Sequence, residues 1–350
     1  MRDLELTSEQ QQRADALHQR SIVVDMLWST NPAEPTPLID GKNALDRAID
    51  AGLTAANNTL AGANTNFRDA IKEINKVYRL LESEPDKTLL VQTTADIERA
   101  KAERKLGIIM GFQNASPLED DWINTLPVFH KLGVRIIQLT YNENNLLGSG
   151  CTEPRDGGLT AYGRQVVRAL NRLGIIIDLS HVGQQTAREA IELSEDPVIV
   201  SHANTYALTP HVRNLPDDTI KALAAKGGVM GIVAWNVICA TRPGVKPSLS
   251  DYLDHLDYVV NLVGVDHVGI GSDINENFRA MPIRSDFETR YSYMLTDPSE
   301  KAPAVEGFQW VHELPNVTRG LVARGYSDED IQKILGGNFL RVARAVWDKN

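Results

Sequence analysis

Eight short apolar runs, separated by longer amphipathic stretches, constrain this chain more than any other feature. They are SIVVDML (21–27), LTAANNTL (53–60), LGIIMGF (106–112), VRIIQLT (134–140), GIIIDLS (174–180), PVIVS (197–201), GGVMGIV (227–233) and HVGIGS (267–272). Most have the length and Ile/Val content of a buried strand. The stretches between them, such as WINTLPVFHKL, YGRQVVRALNRL, QTAREAIELS and LSDYLDHLDYVVNLV, have helical periodicity. Several end at a glycine just before the next run (Gly133, Gly174, Gly227, Gly264), where glycine can take the left-handed conformation of a helix C-cap. Alternating strand and helix predicts a parallel sheet, and eight strands in 350 residues suit a closed (β/α)8 barrel, an α/β fold of the TIM type. A doubly wound open sheet usually carries a Gly-rich phosphate loop after its first strand, and DMLWSTN has none. No repeat or linker divides the chain. Residues 1–350 are therefore expected to form a single barrel domain with an N-terminal helix and a C-terminal helical extension. The least regular stretches, 143–158, 240–250 and 276–304, are candidates for functional loops.

In such a barrel the chemistry sits at the C-terminal ends of the strands. There the sequence offers Asp25 and Trp28, Asn57 and Asn58, Gln113 and Asn114, Tyr141 and Asn142, His181, His202, Trp235 and Asn236, and Asp273, strand by strand. The run IIIDLSHVG poses the sharpest question, because it ends a strongly apolar strand in a titratable ring. His181 and His202 close successive strands, and two neutral imidazoles so placed can share one metal ion. A lone histidine after a strand is usually a loop residue with one hydrogen bond; two at matched positions, with Asp273 at a third strand end, favour function. Asp273 could be a further ligand or a general base. Arg213, in TPHVRNLPDD, could grip a substrate carboxylate or merely pair with Asp217 or Asp218. Cys151, in the glycine-flanked GSGCTEPRDGG, could be a zinc ligand, a nucleophile or a small buried thiol.

Composition removes several classes of function. Lys+Arg number 36 against Asp+Glu 46, a net charge of -10, and there is no basic stripe, so neither nucleic acid nor an anionic membrane is an expected partner. Two cysteines make no disulfide framework. The polar start MRDLELTSEQQQRADALHQR does not read as a signal peptide, and no run is long and apolar enough to span a bilayer. The expectation is a soluble, cytoplasmic protein with a small-molecule substrate.

At these residues the sequence resembles the membrane (renal) dipeptidase family, the M19 metallopeptidases of the amidohydrolase-like barrel superfamily. The resemblance runs from about residue 20 to the C-terminus through GGLTAYGRQVVRALNRLGIIIDLSHV, PVIVSHANTYAL, RNLPDD, HVGIGSD and GGNFLRV. It implies a (β/α)8 barrel that hydrolyses dipeptides with two zinc ions, and a homodimer. His181 and His202 match two histidine ligands of one metal, Arg213 the carboxylate-binding arginine, and Asp273 the catalytic aspartate. The other ligands are missing. Leu27 and Ser29 stand where the family has His-x-Asp, Gln113 replaces a metal-bridging glutamate, and Tyr141 replaces an oxyanion-stabilising histidine. Leucine cannot coordinate a cation, and a neutral amide cannot offset two dications. The GFQNA and GSGC segments are similar to those of a divergent bacterial subgroup of the family.

The leading expectation is thus a hydrolase of small carboxylate-bearing amides, such as a dipeptide or an N-acyl or N-methyl amino acid, with one zinc. His181 and His202 would hold the ion, with a third ligand from Cys151, or else Asp273 or Glu153. Asp273 would move the proton, Tyr141 would donate to the oxyanion, and Arg213, Gln113 and Asn142 would bind substrate. A metal-free hydrolase with Cys151 as nucleophile, and a non-catalytic carboxylate-binding barrel, remain alternatives.

Overall fold

The computed structural model describes residues 5–242, 244–277 and 304–349. Its strands are β1 (Val24–Trp28), β2 (Ala55–Ala61), β3 (Thr88–Leu90), β4 (Leu106–Phe112), β5 (Val134–Gln138), β6 (Ile176–Asp178), β7 (Ile199–Ala203), β8 (Val229–Ile232) and β9 (Val268–Ile270). All pairings between them are parallel, and β1 pairs with both β2 and β9 while β2 also pairs with β4. The ring β1-β2-β4-β5-β6-β7-β8-β9 therefore closes as the expected eight-stranded barrel. All eight expected runs supply a barrel strand, with ends that agree to within a few residues. The extra strand β3 was not expected, because TLL is too short to carry a periodic signal. It pairs with Leu106–Ile108 on β4, below the point where Met110 begins to pair with β5.

Helices cover the barrel for local reasons that can be read residue by residue. In Ala161–Leu173 the Thr160 side chain accepts from the Gly163 N–H, Val166, Val167 and Leu170 form the buried stripe, and Gly174 ends the helix at φ 68°. Gly133, Gly227 and Gly264 also have positive φ, as the C-cap reading requires. The helix Asn338–Trp347 seals the N-terminal end of the barrel. Its Phe339, Val342 and Val346 pack with Val24, Ile176, Ile199 and Val229, the first residues of their strands. Each such buried side chain contributes about 1.5–3 kcal/mol. One end of the barrel is thus an apolar floor, and polar side chains are left to the other. Of the three irregular stretches, 276–304 falls almost wholly outside the described residues.

Candidate active site

Two histidines meet at the open rim. His181 Nε2 and His202 Nε2 lie 2.8 Å apart, and both rings are buried. They reach this position by different backbone devices. His181 follows β6 in the left-handed region, at φ 62°. Asn142 and Asp273, after β5 and β9, do the same at φ 56° and 55°. Non-glycine residues adopt this region rarely, and three of the six that do so among the described residues share this rim. His202 lies within β7, where simple alternation from inward-facing Ile199 would send it outward. A bulge corrects this: Val200 pairs with Met230 and Ala203 with Ile232, so Ser201 and His202 together oppose Gly231. Such an extra residue re-aims the side chains that follow it. Glycines make room, since a Cβ on Gly231 or Gly271 would run into the Ser201 carbonyl.

Each imidazole is held from behind. His181 Nδ1 is 2.6 Å from Asn142 Oδ1, and the Tyr141 ring stacks on it at a centroid distance of 4.1 Å. His202 Nδ1 is 2.7 Å from Ser201 Oγ, which in turn is 2.5 Å from Asp178 Oδ2. Burial, then the nearby Arg213 charge, pushes both histidines well below their ordinary range, so both are neutral. An amide oxygen can only accept, so His181 carries its proton on Nδ1. If Ser201 donates to Asp178, His202 does likewise. The 2.8 Å separation is a hydrogen-bond distance, so the two rings either share a proton there or, with both protons on Nδ1, turn two lone pairs to a common cation.

The remaining expected residues fall into two groups. Asp273 stands beside the site, its backbone N–H on the Leu27 carbonyl and its carboxylate accepting from the Ser29 hydroxyl. Burial raises its pKa to about 6, against the opposing effects of Ser29 and Arg213. Arg213 is only 2% exposed; one Nη donates to the His202 carbonyl at 3.1 Å, and its Nε has no partner. It does not pair with Asp217 or Asp218, which bond to Tyr258 and Arg188 instead. Its loop is clasped by Asn204 and Asn214, whose amides donate to the Ile238 carbonyl. Gln113 is buried, and its backbone bonds to Ala61 and Gln138.

Other expected residues have partners within the protein. Asn142, expected to bind substrate, has its Oδ1 on His181 and also accepts from the Cys151 thiol at 3.5 Å. Cys151, expected as third ligand, is thereby a hydrogen-bond donor, and burial raises its pKa to about 11. Without a metal beside it such a neutral thiol is a poor nucleophile. Glu153 turns back to accept from the Asn144 N–H at 2.8 Å. Among the described residues no three His, Cys, Asp or Glu side chains are gathered to hold one ion. The loop bearing Cys151 is instead fastened over the site: Asp156 accepts from Gln185 N–H and from the Thr186 hydroxyl, and Gly183 N–H donates to the Ser149 carbonyl.

Sequence reasoning missed Asp178 and Ser201. Asp178 receives four donors, from the backbone and hydroxyl of both Ser180 and Ser201. The acid inside an apolar run, in IIIDLS, was a visible signal for it. A cleft of about 540 Å³ lined by Thr152, Tyr206, Pro210, His211 and Val212 borders the loops of Cys151 and Arg213.

The family model for membrane dipeptidase (peptidase family M19) matches residues 11–283 and 296–349. This chain belongs to the membrane dipeptidase family. Among its relatives, a dipeptidase, tcpJ, from Claviceps purpurea (strain 20.1) is 33% identical over 81% of this chain and 61% of its own length. Another dipeptidase, aclJ, from Aspergillus oryzae is 31% identical over 79% of this chain and 60% of its own. The chain thus spans about three fifths of the length of these fungal relatives. A solved amidohydrolase from Pseudomonas aeruginosa superposes with a TM-score of 0.86 at 35% identity, covering 96% of this chain and 99% of that one. The probable dipeptidase PvdM from the same organism gives 0.80 at 25%, covering 98% and 100%. Among the described residues no helix is long and apolar enough to cross a membrane.

Proposed function

We propose that this chain is a dipeptidase-like amide hydrolase that uses one zinc ion, held by His181 and His202, on a small substrate bearing a carboxylate. The observation that carries this reading is the 2.8 Å approach of the two Nε2 atoms, with both Nδ1 atoms engaged elsewhere. The other half of the rim does not fit a second ion, because Leu27, Ser29 and Gln113 stand where the family's charged ligands would be. Zinc held by the histidine pair would polarise the amide carbonyl and lower the pKa of a bound water to about 7. Water and substrate would fill its remaining positions.

The chain's own groups would do the rest. Arg213 is a buried cation with no carboxylate within ion-pair distance among the described residues, which suits a substrate carboxylate arriving from the adjoining cleft. Asp273, with a pKa of about 6, would take a proton and return it to the leaving amine near neutral pH. The Tyr141 hydroxyl would donate to the developing oxyanion, with its ring steadied against His181. Gln113 would add a neutral contact to substrate. We also propose a cytoplasmic homodimer acting on a dipeptide or an N-acyl or N-methyl amino acid. Metal analysis of protein purified without chelators tests the central point. About one zinc per chain is expected, lost in His181→Ala and in His202→Ala; protein that neither carries nor takes up zinc would refute it.

A further inference from the structure

We propose that Asp178, acting through Ser201, is a positioning residue that aims the His202 Nε2 lone pair at the ion shared with His181. The inference rests on the one-zinc reading above and concerns how this chain holds a ligand that has no acidic partner of its own. Asp178 touches neither substrate nor ion in this account.

The argument is one of donors and acceptors. Asp178 lies on β6 inside the barrel and is approached by donors at all four of its contacts: Ser180 N–H at 3.0 Å, Ser180 Oγ at 2.9 Å, Ser201 N–H at 2.9 Å and Ser201 Oγ at 2.5 Å. Burial pushes the Asp178 carboxyl above the ordinary carboxylate range, opposed by the hydrogen bonds from Ser201 and Ser180; the four donors around it fit a carboxylate that accepts at both oxygens. Ser201 has a single hydroxyl proton, and that proton goes to the carboxylate. Its oxygen is then left to accept; His202 Nδ1 lies 2.7 Å away and Ser180 Oγ, which also contacts Asp178, 3.1 Å away. With Ser201 donating to Asp178, His202 carries its proton on Nδ1 and presents a bare Nε2 on the side facing His181. The same carboxylate also holds the backbone of this ligand, since Ser180 Oγ accepts from the His202 N–H at 3.0 Å. The β7 bulge is what lets both Ser201 and His202 face inward at once. His181 has only the neutral Asn142 amide behind it, so the two rings are supported unequally. A partner behind a ligating imidazole fixes its tautomer and ring orientation.

The fold supplies its own control. Asp25 on β1 is buried like Asp178 and accepts from the backbone and hydroxyl of Ser272, as Asp178 does from Ser201. Among the described residues no histidine hydrogen-bonds to Ser272. A generic cost of altering a buried carboxylate would appear at both positions. An effect through His202 would appear at only one.

The test is zinc affinity of the full chain, measured by competition with a chromophoric chelator, and cobalt(II) absorption as a second readout of ligand geometry. Asp178→Asn and Ser201→Ala should each weaken zinc binding about 10- to 100-fold. The double variant should be no weaker than the worse single one, because the two residues act in series. Asp25→Asn should bind zinc as the parent does. Additive losses, or an equal loss in Asp25→Asn, would overturn the proposal. If Asp178→Asn does not fold, Ser201→Ala decides alone: parental affinity and an unchanged cobalt spectrum would overturn it. A parent chain that binds no zinc would instead refute the one-zinc reading, an outcome distinct from a parent and variants that all bind alike.

Discussion

Replacing Gly271 by alanine should damage the site from a residue that touches no ligand. Gly271 lies just past β9, and a Cβ built there would sit 2.9 Å from the Ser201 carbonyl carbon and 3.3 Å from His202 Cα, with the carbonyl oxygen nearer still. Optimal carbon–carbon separation is about 3.5 Å, so the β7 backbone would have to retreat by at least about 0.6 Å. The obstacle is backbone, which cannot step aside as a flexible side chain can. Overpacking of this kind costs about 1–3 kcal/mol, and the upper end is expected here. The same displacement would carry Ser201 away from Asp178 and swing the His202 ring off its partner. Denaturant unfolding of the metal-free protein should therefore show a loss of about 3 kcal/mol, and a zinc titration should show weakened binding in whatever fraction stays folded. A Gly271→Ala protein that matches the parent in both measurements would refute the claim that the bulge aims His202.

Three other outcomes follow from the same geometry. Arg213→Met should lower kcat/KM for carboxylate substrates about 10- to 100-fold, the worth of a charged hydrogen bond of about 1.5–3 kcal/mol, while an uncharged ester of the same substrate loses much less. It should also raise the stability of the free protein, since a buried cation without a counterion is removed, and unfolding measurements check this. Asp273 acts as a base only when ionised, so activity should fall as pH drops through about 6; Ser29→Ala removes a hydrogen bond that favours the ionised form, so this limb should move to higher pH, and a pH–rate profile that shifts down or not at all contradicts the assignment. Cys151→Ser should retain zinc, because its thiol is protonated and bonded to Asn142; loss of the ion on metal analysis would restore Cys151 as a ligand.

Much of this protein was decided by local sequence. Apolar runs of strand length alternating with amphipathic helices allow a parallel barrel and little else, and a barrel delivers every strand's C-terminal end to one rim. That is why His181, His202 and Asp273 could be named as site candidates from spacing alone, and why glycines such as Gly174 could be read as helix ends. What a residue at the rim touches is a different matter. It depends on backbone details without a periodic signature: the bulge at Ser201–His202, and the left-handed turns at Asn142, His181 and Asp273. It depends also on which donors arrive from other strands. The Asn142 oxygen beside the Cys151 thiol has no signature in the sequence, and Asp178 looked like part of a strand until four donors converged on it. Periodicity records which side of the sheet a residue faces; hydrogen-bond partners come from residues distant in sequence, so only the closed barrel could choose them.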